Sequence, residues 1–161
     1  MTTIVGYAPG VYDLFHVGHL NILKHARERC DHLIAGVVSD EMCLQAKGHL
    51  PFIPLVERLE IVRHISCVDD VFAETVPDKV DTWGVLRFDR IFKGDDWRGT
   101  PKGNRLESDF APLGVQVVYL PYTAHTSSTE LRKALVALSA PVGAQGGRAA
   151  ATHGLGVPRQ R

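Results

Sequence analysis

The chain has 161 residues, enough for one domain with an ordinary buried core. Its 18 Lys and Arg balance its 18 Asp and Glu, so no overall basic field exists to hold nucleic acid or a membrane surface, and anion binding must be local. No apolar run reaches membrane-spanning length, the start lacks signal-peptide regions, and the dispersed Cys30, Cys43 and Cys67 suit reduced thiols, which together read as a cytoplasmic protein.

Ile4-Val5-Gly6-Tyr7-Ala8 is short, apolar and β-prone, and predicts the first strand. A helix is predicted from about Val17, with Leu20, Leu23 and Ala26 on one face. His32 to Val38 is a continuous apolar run suited to a strand covered on both faces. Ser39-Asp40-Glu41 caps a short helix leading into a Lys47-Gly48 loop. Pro54 precedes a helix carrying Leu55, Val56, Leu59, Ile61 and Val62, and the strand-like Val68 to Ala73 ends it. An amphipathic segment around Val80 to Leu86 leads to the strand Arg90-Ile91-Phe92-Lys93, which breaks at Gly94. Val115 to Leu120 is the clearest late strand, and Ser127 to Leu138 the last helix. The alternation predicts a single Rossmann-like, doubly wound α/β domain over residues 1–138, with a mainly parallel sheet of about five strands. Residues 139–161 turn to Ala, Gly, Pro and Arg and predict a flexible extension.

In such a sheet ligands sit outside the carboxyl ends of the strands, and the unusual residues gather there. The segment Gly10-Val11-Tyr12-Asp13-Leu14-Phe15-His16-Val17-Gly18-His19 sets two histidines three residues apart where a strand gives way to a helix. The first N–H groups of that helix and the positive end of its dipole point back at the turn and favour an anion, with His16 and His19 beside it. A zinc pair is the competing use of such spacing, but only Cys30 lies nearby and no carboxylate follows at ligand spacing. Lys47 sits in a polar, glycine-containing loop from which its ammonium can close over a triphosphate. In Gly94-Asp95-Asp96-Trp97-Arg98-Gly99 the first glycine lets the chain turn sharply, and the carboxylates offer acceptors to sugar hydroxyls or base amino groups, or a metal ligand. Thr126-Ser127-Ser128-Thr129 opens the last helix with more hydroxyls than capping needs. The surplus on Ser127 and Ser128 suits donation to a nucleotide phosphate.

These separated motifs, in this order, resemble the HxGH nucleotidyltransferase superfamily over roughly residues 4 to 137. With Gly10, Tyr12, Asp13 and Leu14 ahead of the histidines, the turn is similar to that of the cytidylyltransferases. Gly94-Asp95-Asp96-Trp97 resembles the bacterial glycerol-3-phosphate cytidylyltransferases in particular, and favours a polyol phosphate over an aminoalcohol phosphate. The departures are local. Ser66 and Tyr122 stand where that family has arginines, and His125 where it has a glycine. Arg63, one helical turn before Ser66, is the candidate replacement, with His64 as the alternative.

The resemblance implies transfer of CMP from CTP to a small polyol phosphate such as glycerol 3-phosphate, with release of pyrophosphate and with Mg²⁺ as cofactor. His16, His19 and Lys47 would act on the phosphates. Gly10, Val11, Tyr12, Asp13, Gly18, Arg63, Gly94, Asp95, Trp97, Thr123, Thr126, Ser127 and Ser128 would form the nucleotide site, and Asp13 would orient the turn or the waters of the metal. A homodimer is expected from the small members of the superfamily, with no nucleic acid or membrane partner. Lys47-Gly48-His49-Leu50-Pro51-Phe52-Ile53-Pro54-Leu55 also resembles the ADP-heptose synthetase type of adenylyltransferase, which makes ATP and a sugar phosphate the competing pair. A catalytically inactive nucleotide-binding module is the remaining alternative.

Overall fold

In a computed structural model residues 2–123 and 125–140 are described; of the expected extension at 139–161, Ser139 ends the last helix, Ala140 follows it, and 141–161 lie outside the described residues. Five strands, β1 (Val5–Gly10), β2 (His32–Val38), β3 (Asp70–Glu74), β4 (Arg90–Gly94) and β5 (Gln116–Leu120), form one parallel sheet in the order β3-β2-β1-β4-β5. The chain moves outward from β1 through β2 to β3, then crosses to the other side of β1 for β4 and β5. Between β1 and β4 the direction of winding reverses, which opens a crevice at the carboxyl ends of those strands.

Alternate residues of each strand serve opposite faces. On one face Ala8, Leu33, Ala35, Val37, Phe92 and Leu120 pack with Leu23 and Ala26 of α1 (Val17–Arg27) and Val62 of α3 (Leu55–Arg63). On the other, Tyr7, Ile34 and Ile91 pack with Phe88, with Leu106 and Phe110 of α5 (Pro101–Phe110), and with Val80 and Trp83 of α4 (Lys79–Leu86). Each fully buried side chain of this size contributes about 1.5–3 kcal/mol. Gly36 in β2 keeps the second face open at one point: a Cβ there would stand 2.1 Å from the Tyr7 hydroxyl. The Tyr7 ring therefore passes over β2, and its hydroxyl donates to Oε2 of the buried Glu74 at 2.5 Å.

Two elements differ from the sequence reading. The third strand starts at Asp70 because Val68 still belongs to a turn, its N–H donating to Ile65 O at 2.9 Å. Helix α5 was not foreseen, since its buried stripe is only Gly103, Leu106 and Phe110 behind a proline at the first turn. The parallel pairing of β4 with β5 requires such a crossover.

Candidate active site

Helix α1 begins with an imidazole cap. His16 Nδ1 accepts from the Gly18 N–H at 3.0 Å, and His19 Nδ1 accepts from the His16 N–H at 3.3 Å, so each ring satisfies one of the orphan donors of the first turn. The ring centroids are 4.1 Å apart. Burial holds the pKa of both rings below the ordinary histidine range, and that of His19 comes down to about 4, with His16 and Lys47 adding to the effect and Asp13 opposing it. A neutral ring whose Nδ1 accepts must carry its proton on Nε2. Both histidines thus present an N–H away from the helix. His16 Nε2 is the one buried side-chain nitrogen or oxygen among the described residues without a hydrogen-bond partner. His19 Nε2 has only the Ser128 hydroxyl at 3.5 Å.

The turn before the helix is strained. Tyr12 and Leu14 have φ of +55° and +50°, a left-handed conformation that costs a non-glycine residue roughly 1–2 kcal/mol. Five hydrogen bonds hold it. The Tyr12 hydroxyl donates to Ala8 O at 2.8 Å, and the fully buried Arg58 donates through Nη1 to Val11 O at 2.6 Å. The Asp13 carboxylate accepts the N–H groups of Phe52 and Ile53 at 2.8 and 2.9 Å, and Ser128 Oγ donates to Asp13 O at 2.7 Å. Arg58 also reaches Val38 O, Ile53 O and Asp40, tying the ends of β1 and β2 to α2 (Asp40–Lys47) and to the loop that follows it.

A cavity of about 950 Å³ lies along the carboxyl edge of the sheet. Gly10, Val11, Tyr12, Asp13, His19 and Lys47 line it, as do Gly94, Trp97, Ser127 and Ser128. Ser127 caps α6 (Ser128–Ser139), its side chain accepting the Glu130 N–H at 3.1 Å. Other expected residues stand outside the lining, His16 among them: its ring lies against His19 with its Nε2 buried. Gly18 is buried under the His16 cap, Thr123 is tied to Asn21 of α1 at 2.9 Å, and Asp95 and Thr126 are exposed. Arg63 is not brought to the site: helices of a parallel crossover run antiparallel to their strands, so the C-terminal end of α3 lies at the opposite edge of the sheet.

Asp13 holds the turn and the 52–53 backbone. Both its oxygens accept backbone N–H groups, Arg132 Nη2 stands 3.4 Å from one of them, and among the described residues no group of three His, Cys, Asp or Glu is placed to hold an ion. Mg²⁺ held mainly by triphosphate oxygens and water needs no such group.

Four cavity cations were missed in the sequence. Arg132 lies one helical turn after Ser128 on the same face of α6, stacks on Phe52 at 4.4 Å, donates to Leu50 O at 2.5 Å and supplies a guanidinium to the cavity. The i, i+4 spacing from the serine was the available signal. Lys79, Lys93 and Lys102 line the far side.

Residues 7–134 match the family described as cytidylyltransferase-like, a span running from β1 into α6. The chain belongs to this family. Among its relatives, a glycerol-3-phosphate cytidylyltransferase of Bacillus spizizenii is 32% identical over 141 residues, which are 86% of this chain and 100% of that protein. A bifunctional protein HldE of Streptomyces coelicolor is 38% identical over 129 residues, 77% of this chain but only 27% of that protein. A solved structure, the lipopolysaccharide core biosynthesis protein from Thermoplasma volcanium, superposes with a TM-score of 0.66 at 25% identity, covering 78% of this chain and 100% of that one. This cytidylyltransferase-like domain thus combines neutral imidazole donors, a helix N-terminus, cations and hydroxyls at one sheet edge. Among the described residues, no helix is long and apolar enough to cross a membrane.

Proposed function

We propose that this cavity transfers CMP from CTP to a small polyol phosphate of the glycerol 3-phosphate type. The observation that carries the reading is the pair of Nε2–H donors, one of them buried and unpartnered, beside the N-terminus of α1. An oxygen of the acceptor phosphate attacks the α-phosphorus in line, the bond to the α,β-bridging oxygen breaks, and pyrophosphate leaves with the electron pair. No covalent enzyme intermediate is needed, because the nucleophile is already an anion. His16 and His19 donate to oxygens of the α-phosphate and to the bridging oxygen, where negative charge grows. Lys47, Arg132 and the Ser128 end of α6 receive the β and γ phosphates. Trp97 and the Gly94 turn hold the nucleoside, and Mg²⁺ enters as the counter-ion of the triphosphate substrate.

The preference for CTP and a polyol phosphate is supported by the full-length match to a glycerol-3-phosphate cytidylyltransferase and by the Gly94-Asp95-Asp96-Trp97 turn. The Lys47 to Leu55 segment and the 38% identity to HldE favour a second reading, adenylyl transfer from ATP to a sugar phosphate. Incubation with each of the four nucleoside triphosphates, Mg²⁺ and a panel of polyol, aminoalcohol and sugar phosphates separates them by pyrophosphate release. CTP with glycerol 3-phosphate is expected to give the highest rate. ATP with a sugar phosphate as the best pair supports the second reading, and triphosphate binding without release under any pairing leaves a binding module.

A further inference from the structure

The cavity carries phosphate-binding groups on two banks, on opposite faces of the sheet. His19, Lys47, Ser128 and Arg132 stand on the face covered by α1. Lys93 stands on the other, because strand alternation in β4 places it with Ile91, on the side of Tyr7 and α5. Its surroundings leave its charge without a partner. Glu74, the nearby buried carboxylate, is already committed, with Oε2 accepting from the Tyr7 hydroxyl and Oε1 paired to Lys79. Lys93 makes no ion pair among the described residues, and its Nζ sits 4.2 Å from the Trp97 ring centroid. Lys102 adds a second ammonium, 6.0 Å from the same ring, and Asp96 is the other carboxylate close enough to act on Lys93. Gly103 lets α5 close on this bank: a Cβ there would stand 2.1 Å from Trp97 O.

In-line displacement at phosphorus puts the attacking and leaving oxygens on opposite sides of the reacting atom. If the triphosphate lies along the histidine bank with its leaving pyrophosphate toward Lys47 and Arg132, the nucleophile must arrive from the Lys93 side. We infer that Lys93, at the end of β4, is the acceptor-positioning residue of this site and binds the phosphate of the acceptor across the cavity from His19. The inference rests on the transfer reading above and adds to it a specificity: acceptors enter as phosphate monoesters, and the same alcohols without phosphate do not bind. An ammonium over an indole is pre-oriented for this, since the ring holds the cation without neutralising it.

Two measurements on Lys93→Met test the assignment, one of them without turnover. In the first, glycerol 3-phosphate is titrated calorimetrically into the full chain loaded with CTP carrying a methylene bridge between its α and β phosphorus atoms. The wild type is expected to bind glycerol 3-phosphate and not glycerol, and Lys93→Met to bind it about tenfold or more weakly. The affinity for the methylene analogue is expected to change less than about twofold, which also reports that the variant is folded. In the second, initial rates are expected to show the loss in the acceptor KM, with the CTP KM held and part of the loss recovered in Lys93→Arg. Equal acceptor binding by wild type and Lys93→Met overturns the inference, as does a loss of triphosphate affinity in its place or a wild type indifferent to the acceptor's phosphate. Lys93-dependent acceptor binding without turnover would instead defeat the transfer reading and leave this one standing.

Discussion

The His16 backbone N–H donates to Nδ1 of His19 at 3.3 Å, and that contact decides which edge of the His19 ring faces the cavity. Asn and Gln test it separately, because an Asn amide reproduces the Nδ1 position and a Gln amide the Nε2 position. His19→Asn keeps a cap and loses the donor, so kcat is expected to fall about 10²-fold or more, as on loss of an oxyanion donor. His19→Gln is expected to retain more activity than His19→Asn. The reverse order in steady-state rates would mean that the cap, not the donor, matters.

Arg58 makes four side-chain hydrogen bonds from a fully buried position, to Ile53 O, Val11 O, Val38 O and Asp40. Arg58→Met leaves those acceptors unpaired and frees the strained turn, at a cost of about 3–5 kcal/mol. Urea denaturation is expected to show a lower midpoint with an unchanged slope. A shift below about 1 kcal/mol would mean that water replaces the guanidinium.

The alternation of β1, β2, β4 and β5 with their helices was legible because each segment carries a clean apolar run, and the imidazole pair because its spacing sets it on a helix start. What stayed hidden depends on three-dimensional closure. Nothing local marks Lys93 as unpaired, since that follows from Tyr7 reaching Glu74 over Gly36. Arg132 becomes a cavity cation only because α6 returns to the β1 turn and Ser128 hydrogen-bonds Asp13 O. Arg63 was misplaced for the converse reason: sequence proximity to the missing arginine says nothing about which end of the sheet a helix terminus reaches. Asp13 was read in sequence as orienting the turn or the waters of a metal, but the two backbone groups it holds lie 39 and 40 residues away and carry no local signal.

Stability is expected to fall on acidification in a way that reports His19. Its folded pKa, about 4, lies below the ordinary value of 6.5, so the unfolded chain binds the proton first. The contribution is fully present above 6.5 and is lost as pH falls toward 4, with a slope of at most about 1.4 kcal/mol per pH unit, less after solvent screening. Denaturation midpoints between pH 7.5 and 4.5 should show this slope in the wild type and a shallower one in His19→Gln. Equal slopes would contradict the buried neutral ring.

At alkaline pH the acceptor should bind less well. Burial, with Lys79 and Lys102 adding to it and Glu74 and Asp96 opposing it, brings the pKa of Lys93 down to about 8. As pH rises through that value the ammonium loses its proton, and kcat/KM for glycerol 3-phosphate is expected to decline while that for CTP does not. In Lys93→Arg the decline should move beyond the accessible range. A limb that persists unchanged in Lys93→Arg belongs to another group.

Long-range ¹H–¹⁵N NMR of the imidazole nitrogens at pH 7.5, with and without the methylene analogue of CTP, reads the site chemistry most directly. Both His16 and His19 are expected to show a protonated Nε2 and a bare, hydrogen-bond-accepting Nδ1 in the free protein, with both Nε2 resonances moving when the analogue binds. Imidazolium spectra at pH 7.5, protons on Nδ1, or Nε2 resonances that ignore bound nucleotide would contradict the paired-donor site.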